Sequence, residues 1–324
     1  MPASVAHAYF ASDVYDTLSS ELKNKLSLSR LRMFGQSTDS FLFYRLLRLG
    51  NYKKIRRLQH ISHTKKTRDF FITLIKYIKE NNLKDDIDTC SFLSGFICHY
   101  ALDLTVHPYV FYKTGSFHKD EKETYKYNSL HTLMEVYLDN YLIWDREKSS
   151  PYNFPIASYC FDLSKFSESL NKTIRHTFKN VYNLKDADIK YYESLEDMKF
   201  YIKNFREDKL GIKKTLYKCI DTFTSKKIMR FEYVSYHVSL DNKKFDFLNF
   251  HHHIWRNPIN YSMTSRESFY DLYLKALKLA KGLIEDVFSY LDGKDVNLEK
   301  LFLNLSYTTG LDCDIKKRMK YFEF

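Results

Sequence analysis

His99, Asp103 and His107 stand four residues apart, and His131 and Glu135 repeat the same step further along the chain. On a helix, residues four apart share a face. The first three therefore climb one stripe over two turns, and the second pair does the same on the next helix. Imidazole and carboxylate are the donors that zinc and other divalent transition metals take. A lone His-x-x-x-Glu is commonly a surface pair or a hydrogen-bonded core pair. Five such groups on two otherwise apolar helices are hard to explain as core, because unpaired buried carboxylates cost several kcal/mol. The pattern is that of a metal site.

Helix geometry also bears on how many ions such a site holds. His99 and His107 are separated by roughly 12 Å along the axis at about 1.5 Å per residue. Two donors on one ion each sit about 2 Å from it, so a straight helix cannot bring both rings to the same metal. Asp103 lies midway with two oxygens and is placed to bridge two ions. A multinuclear site is expected rather than one structural zinc.

The elements carrying these residues read as helices. Only 8 Gly and 5 Pro occur in 324 residues, too few for the closely spaced turns of a strand-rich fold. An all-α chain is expected. Helical periodicity covers residues 4 to 26, with His7 on an apolar face, and a turn containing Asp39 leads into a second helix between residues 30 and 48. His63 opens a third helix that runs to about Asn81. The His/Asp/His helix spans 88 to 107 and stops at Pro108. Gly95, one turn before His99, leaves room for something bulky. A lysine-rich loop over 109 to 127 precedes the His131/Glu135 helix at 128 to 145. Pro151 to Pro155 mark a break, after which helical periodicity returns from Leu163 to about Val181. Thr264 to Glu267 reads as a capping box that starts a last helix ending near Leu291. The expected organisation is a metal-binding helical core over residues 1–150 and a helical C-terminal extension over 151–324, together making one compact unit.

The net charge of +11 admits phosphate-bearing partners, either nucleic acid or an anionic surface touched peripherally. The abundance of Lys, Asn, Tyr and Ile accounts for the charge as composition, and no aromatic-basic motif of a nucleic-acid module appears. No apolar run is long enough to span a bilayer. The first residues lack the basic and leucine-rich regions of a secretory signal. Five scattered cysteines without a Cys-x-x-Cys pair read as reduced thiols. A cytoplasmic protein is expected, and no protein partner is inferred.

With His7, Asp39, His63, His99, Asp103, His107, His131 and Glu135 assembled in this order, the chain resembles the zinc-dependent phospholipase C family over residues 1 to about 145. That family shares its phospholipase C/nuclease-like helical bundle with the single-strand nucleases. The stretch from His252 through Trp255 to Pro258 resembles the tail of cytosolic bacterial relatives. The resemblance implies two or three Zn2+ ions. Asp39, His63, His99 and Asp103 would hold one, and His107, His131 and Glu135 a second. His7 and Asp103 would hold a third with backbone groups at the chain's start. On residue type alone, Asp39 also reads as a turn or N-cap aspartate and His7 as a core histidine. His63 competes with His60 and is preferred because it leads the Thr-Lys-Lys-Thr-Arg-Asp-Phe run that follows the ligand in relatives. Two departures stand out. The secreted enzymes carry an N-terminal Trp well before the first His, whereas Pro2 here lies close to His7. The step from Asp103 to His107 is also shorter, a single clean turn.

The implied activity is hydrolysis of a phosphodiester, a phospholipid headgroup or a nucleotide, by a metal-activated water without a covalent intermediate. Asp39 is the residue to orient or deprotonate that water. The alternatives are a single-strand nuclease or nucleotide phosphodiesterase, and a non-catalytic metal-bearing structural protein. An intact donor set that includes Asp39 argues against the last, because closed structural sites need no open position. His251 to His253 point in different directions, so none is expected as a direct ligand, and His252 is a candidate for the layer behind the ligands. His118 reads as solvated. Arg68 and Lys65 are candidates to touch a phosphate, or simply lie on a solvated helix face.

Overall fold

The computed structural model describes residues 4–224, 230–241 and 246–323. Pro2, noted above for its nearness to His7, lies outside them. The first expected helix is two, α1 (Ser4–Thr17) and α2 (Ser20–Asn24), because the Ser19 side chain accepts from the Leu22 amide and begins a new helix. α3 (Leu28–Phe34) follows, and Asp39 lies in a 3₁₀ turn over Ser37–Phe43 rather than ahead of a long helix. His63 does not open a helix. It sits in the last turn of α4 (Lys53–Thr64), and the chain passes through Lys66 at φ 56° before α5 (Thr67–Glu80).

The centre of the molecule is α6 (Ile87–Thr114), whose start is capped by the Asp86 carboxylate on the Thr89 amide. Pro108 does not end it. The helix continues for six more residues to Gly115, which takes φ 77°. A proline inside a helix removes one hydrogen bond and costs about 3 kcal/mol. Here both sides of the helix are held by neighbours, and the Leu104 carbonyl deprived of its donor faces Gly310, where a Cβ would stand only 3.1 Å away. α6 is apolar nearly all round, as a helix buried on every side must be.

α7 (Tyr125–Glu147) carries the second stripe, and α8 (Ile156–Cys160), α9 (Glu168–Tyr182), α10 (Ala187–Tyr201) and α11 (Ile212–Phe223) follow. An antiparallel hairpin, β1 (Trp255–Asn257) with β2 (Asn260–Ser265), occupies the stretch expected to start the last helix. The capping box lies a few residues later. Ser268 and Asp271 exchange side-chain and backbone bonds and open α12 (Phe269–Leu291), before the short α13 (Leu298–Leu301). The fold is helical, as expected, with this hairpin as the one named sheet among the described residues. α1, α3, α7, α9, α12 and the hairpin surround α6, and one hydrophobic cluster reaches from Val5 to Tyr307. No helix among the described residues is long and apolar enough to cross a membrane.

Gly95 earns its place by the approach of α3. A Cβ there would meet the Phe34 Cβ at 2.6 Å and the Phe34 carbonyl carbon at 2.8 Å. The bulky neighbour is therefore the backbone at the end of α3. Gly95→Ala is expected to push α3 off α6 and destabilise the fold by about 1–3 kcal/mol, read as a lowered urea midpoint. An unchanged midpoint would mean that α3 can retreat without loss.

Candidate metal centre

Three helices, α1, α4 and α6, deliver four imidazoles to the Asp103 carboxylate, which is 2% exposed. Its Oδ1 lies 3.3 Å from His7 Nε2, and its Oδ2 lies 3.3 Å from His63 Nε2, 3.0 Å from His99 Nε2 and 3.3 Å from His107 Nδ1. Asp103 thus stands between His99 and His107, touching both. Asp39 Oδ1 is 3.2 Å from His63 Nε2 and accepts the Gln59 side-chain amide at 2.9 Å. His7 stacks on His99 with ring centroids 4.4 Å apart.

The ring orientations decide what this cluster can hold. His63 Nδ1 lies 2.7 Å from the Gln59 carbonyl oxygen and His99 Nδ1 lies 2.9 Å from that of Gly35. A carbonyl only accepts, so both Nδ1 atoms carry protons and the neutral rings present bare Nε2 lone pairs. Those two nitrogens face each other at 3.1 Å, with Asp39 and Asp103 alongside. Four electron-rich atoms so close require a cation among them. A proton can serve: the Asp39 and Asp103 carboxylates, against burial that would lower it, push the His63 imidazole up to about 10. A transition metal serves with the same geometry and with second-layer bonds already in place.

The second stripe repeats this logic. The Thr114 hydroxyl donates its proton to the Val110 carbonyl at 2.8 Å, so it accepts from His131 Nδ1 at 3.0 Å. His131 Nε2 is then bare, 3.2 Å from Glu135 Oε1. Thr114 reaches His131 only because α6 runs on past Pro108. Burial would raise the Glu135 carboxyl, but nearby positive charge, His131 and His107 included, holds it below the usual range. Burial pushes the His107 imidazole down to about 4, so it is neutral and able to bind a metal at neutral pH.

Two sets of donors lie within 4.8 Å of one another, Asp39 with His63 and His99, and His7 with His99 and Asp103. His99 belongs to both, although one bare nitrogen serves one ion. His107, His131 and Glu135 are spaced more loosely, the two rings 6.4 Å apart. Between the stripes lies a cavity of about 30 Å3, lined by His7, Asp103, His107 and Glu135 on its polar side and by Val106, Leu138 and Phe269 on the other. The His107 and His131 side chains are 19% and 15% exposed, against 5% or less for His7, His63 and His99. The cluster opens to solvent on that side.

His60 is exposed and apart from these donors, while His63 is buried among them. His251, His252 and His253 are also exposed, and His252 Nδ1 meets the Arg266 carbonyl oxygen rather than the layer behind the ligands. His118 is half-buried instead of solvated. Lys65 and Arg68 are exposed and line a separate surface cavity with Asp69 and Asp314.

Three supporting residues escaped the sequence reading. Gln59 precedes His63 by one turn, a step that could have revealed it. Asp139 follows Glu135 by the same step, and its Oδ1 accepts the Ala6 amide at 2.8 Å, fixing α1 beside the site. Tyr307 has no local signal. Its amide donates to the His63 carbonyl at 2.9 Å, and its ring lies 4.8 Å from His63 and 5.9 Å from His99.

Buried imidazoles and carboxylates inside a helical bundle put this chain among the proteins equipped to hold transition metals. A family model described as zinc dependent phospholipase C matches residues 6–188, which include all eight of these side chains, and the chain belongs to that family. No curated protein and no solved structure matches it.

Asp139 also makes stability depend on pH. Burial pushes its carboxyl up to about 6 from 3.8, despite bonds from the Ala6 amide and the Tyr236 hydroxyl. The folded chain therefore holds a proton that the unfolded chain has lost between about pH 4 and 6, and stability falls as pH rises through that window. Above it the cost is constant at roughly 3 kcal/mol. Asp139→Asn keeps an acceptor for Ala6 and removes the ionisation. Urea melts of the two proteins are expected to coincide most nearly at about pH 4, with the variant gaining up to about pH 6. A difference independent of pH would rule this account out.

Proposed function

We propose that this chain is a zinc-dependent phosphodiester hydrolase that cleaves phospholipid headgroups by a direct attack of water. The observation that carries the reading is the pair of bare Nε2 atoms of His63 and His99, held toward each other beside two buried carboxylates. Family membership supplies zinc and the phospholipid. In this reading Asp39, His63, His99 and Asp103 hold one ion, His107, His131 and Glu135 a second, and His7 with Asp103 a third. Bound zinc would lower the pKa of a coordinated water toward about 7 and neutralise charge on the phosphoryl oxygens.

The chain's own groups do the rest. Asp39 is held well below the usual carboxylate range: burial would raise it, but His63 prevails. Such a weak base orients the attacking water better than it removes a proton. Gln59 fixes the Asp39 carboxylate through its amide. The phosphodiester enters on the His107 and His131 side, where the donors are least covered. Val106, Leu138 and Phe269 keep bulk water from the inner wall.

Mass spectrometry of the untagged protein is expected to find two or three zinc ions per chain, and at least one fewer in Asp103→Ala. Fewer than one ion in zinc-supplemented wild type would overturn the multinuclear site.

The activity test is a short-chain phosphatidylcholine assay beside single-stranded DNA and RNA. Wild type should release phosphocholine, and Asp39→Asn should lose about 10²-fold or more in rate. Turnover of nucleic acid alone would replace the substrate and keep the reaction class. Zinc-loaded protein that turns over neither would sink the hydrolase.

A further inference from the structure

Helix α11 is built inside out. Its protein-facing residues are polar: the Lys213 ammonium bonds the Glu207 carbonyl at 2.6 Å, Lys214 that of His237 at 2.7 Å and the Tyr217 hydroxyl that of Phe205 at 2.9 Å. The Asp221 carboxylate takes the Phe231 and Glu232 amides at 2.9 and 3.0 Å. Its outward residues are apolar. Ile212, Leu216, Cys219, Ile220 and Phe223 follow the three- and four-residue steps of one helical stripe, with Phe223 92% and Ile212 67% exposed. A surface helix ordinarily does the reverse.

The charge around the stripe indicates what covers it. Lys218 is exposed on the same helix, and Lys203 and Lys209 are exposed in the chain that leads into it. The nearby acids Asp208 and Asp221 are buried and bonded, and Glu207 is half-buried with Oε1 on the Ala157 amide. Among the described residues the exposed charges around the stripe are therefore cationic, and Glu232 is half-buried and paired with Arg230. A second copy set against it by a twofold axis would bring these lysines together. The 12-residue helix is also only about 18 Å long, a footprint of roughly 200 Å2 against the ~800 Å2 that each partner of a stable protein interface gives up.

We propose that α11 is an interfacial helix that lies in the headgroup layer of an anionic phospholipid surface, its apolar stripe in the acyl boundary and its lysines on the lipid phosphates. Amphipathic helices with lysine on the polar flank bind membranes in this way, and each lysine near an anionic surface strengthens binding about fivefold. The inference deepens the proposed function and rests on it for the choice of phospholipid: a hydrolase of bilayer lipids has to reach its substrate at a surface.

The test is co-sedimentation of the full chain with phosphatidylcholine vesicles and with vesicles that also contain phosphatidylglycerol, using Asp39→Asn as the background so that lipid is not consumed. Binding is expected to the anionic vesicles, weakened by salt and reduced about a hundredfold by Leu216→Glu with Phe223→Glu. Both substituted side chains are solvent-exposed, so the thermal midpoint should not move. No binding, or binding that the two substitutions leave intact, overturns the proposal. So does sedimentation velocity that finds a dimer dissociated by them, because the stripe then belongs to a second copy. Absence of vesicle binding, when the chain with Asp39 intact turns over soluble short-chain lipid normally, defeats this inference alone. Docking without any turnover defeats only the hydrolase.

Discussion

A single carboxylate surrounded by imidazoles sets the terms for the rest of this molecule. Asp103 is touched by His7, His63, His99 and His107, and such a cluster survives in a core only if its charges are balanced and its key rings aimed. The aiming is done by groups that cost little: the carbonyls of Gln59 and Gly35, the hydroxyl of Thr114 and the amide of Gln59. Each fixes one proton or one rotamer. The arrangement then demands positive charge at a few defined points, which a proton or a metal ion can supply.

α6 reconciles two opposed requirements. It must be apolar around nearly its whole circumference because helices surround it, yet it must carry three of the donors and Thr114. It does so by confining them to one stripe facing α1, α4 and α7. Gly95 admits the backbone of α3, and that approach sets the Gly35 carbonyl against His99. Packing and chemistry are therefore linked one helical turn apart.

The candidate site was legible in the sequence to the extent that it depends on local periodicity. His99, Asp103, His107, His131 and Glu135 announce themselves by four-residue steps, and a helix converts those steps into one face without help from the rest of the fold. Boundaries set by tertiary contacts were less legible. Pro108 reads as a stop, but packing on both sides of α6 and the cover given by Gly310 outweigh the lost hydrogen bond. Thr264 to Glu267 carries the letters of a capping box, yet pairing with β1 holds it extended, and Ser268 with Asp271 performs the capping instead. α11 was illegible for a different reason. Periodicity reveals that one face differs from the other, and only the surrounding structure reveals which of them is turned inward.

Tyr307 gives the site a temporal dimension. The donors lie between residues 7 and 135, so a growing chain has all of them well before Tyr307 is made. The residue that bonds the His63 carbonyl and covers the His63 and His99 rings comes much later in the chain than the donors. Closing so long a loop is slow compared with helix formation. Until then the bundle has its donors but not this cover, and an ion held there would still be free to exchange. If the cluster holds zinc as proposed, arrival of the segment that carries Tyr307 would govern metal retention rather than metal capture.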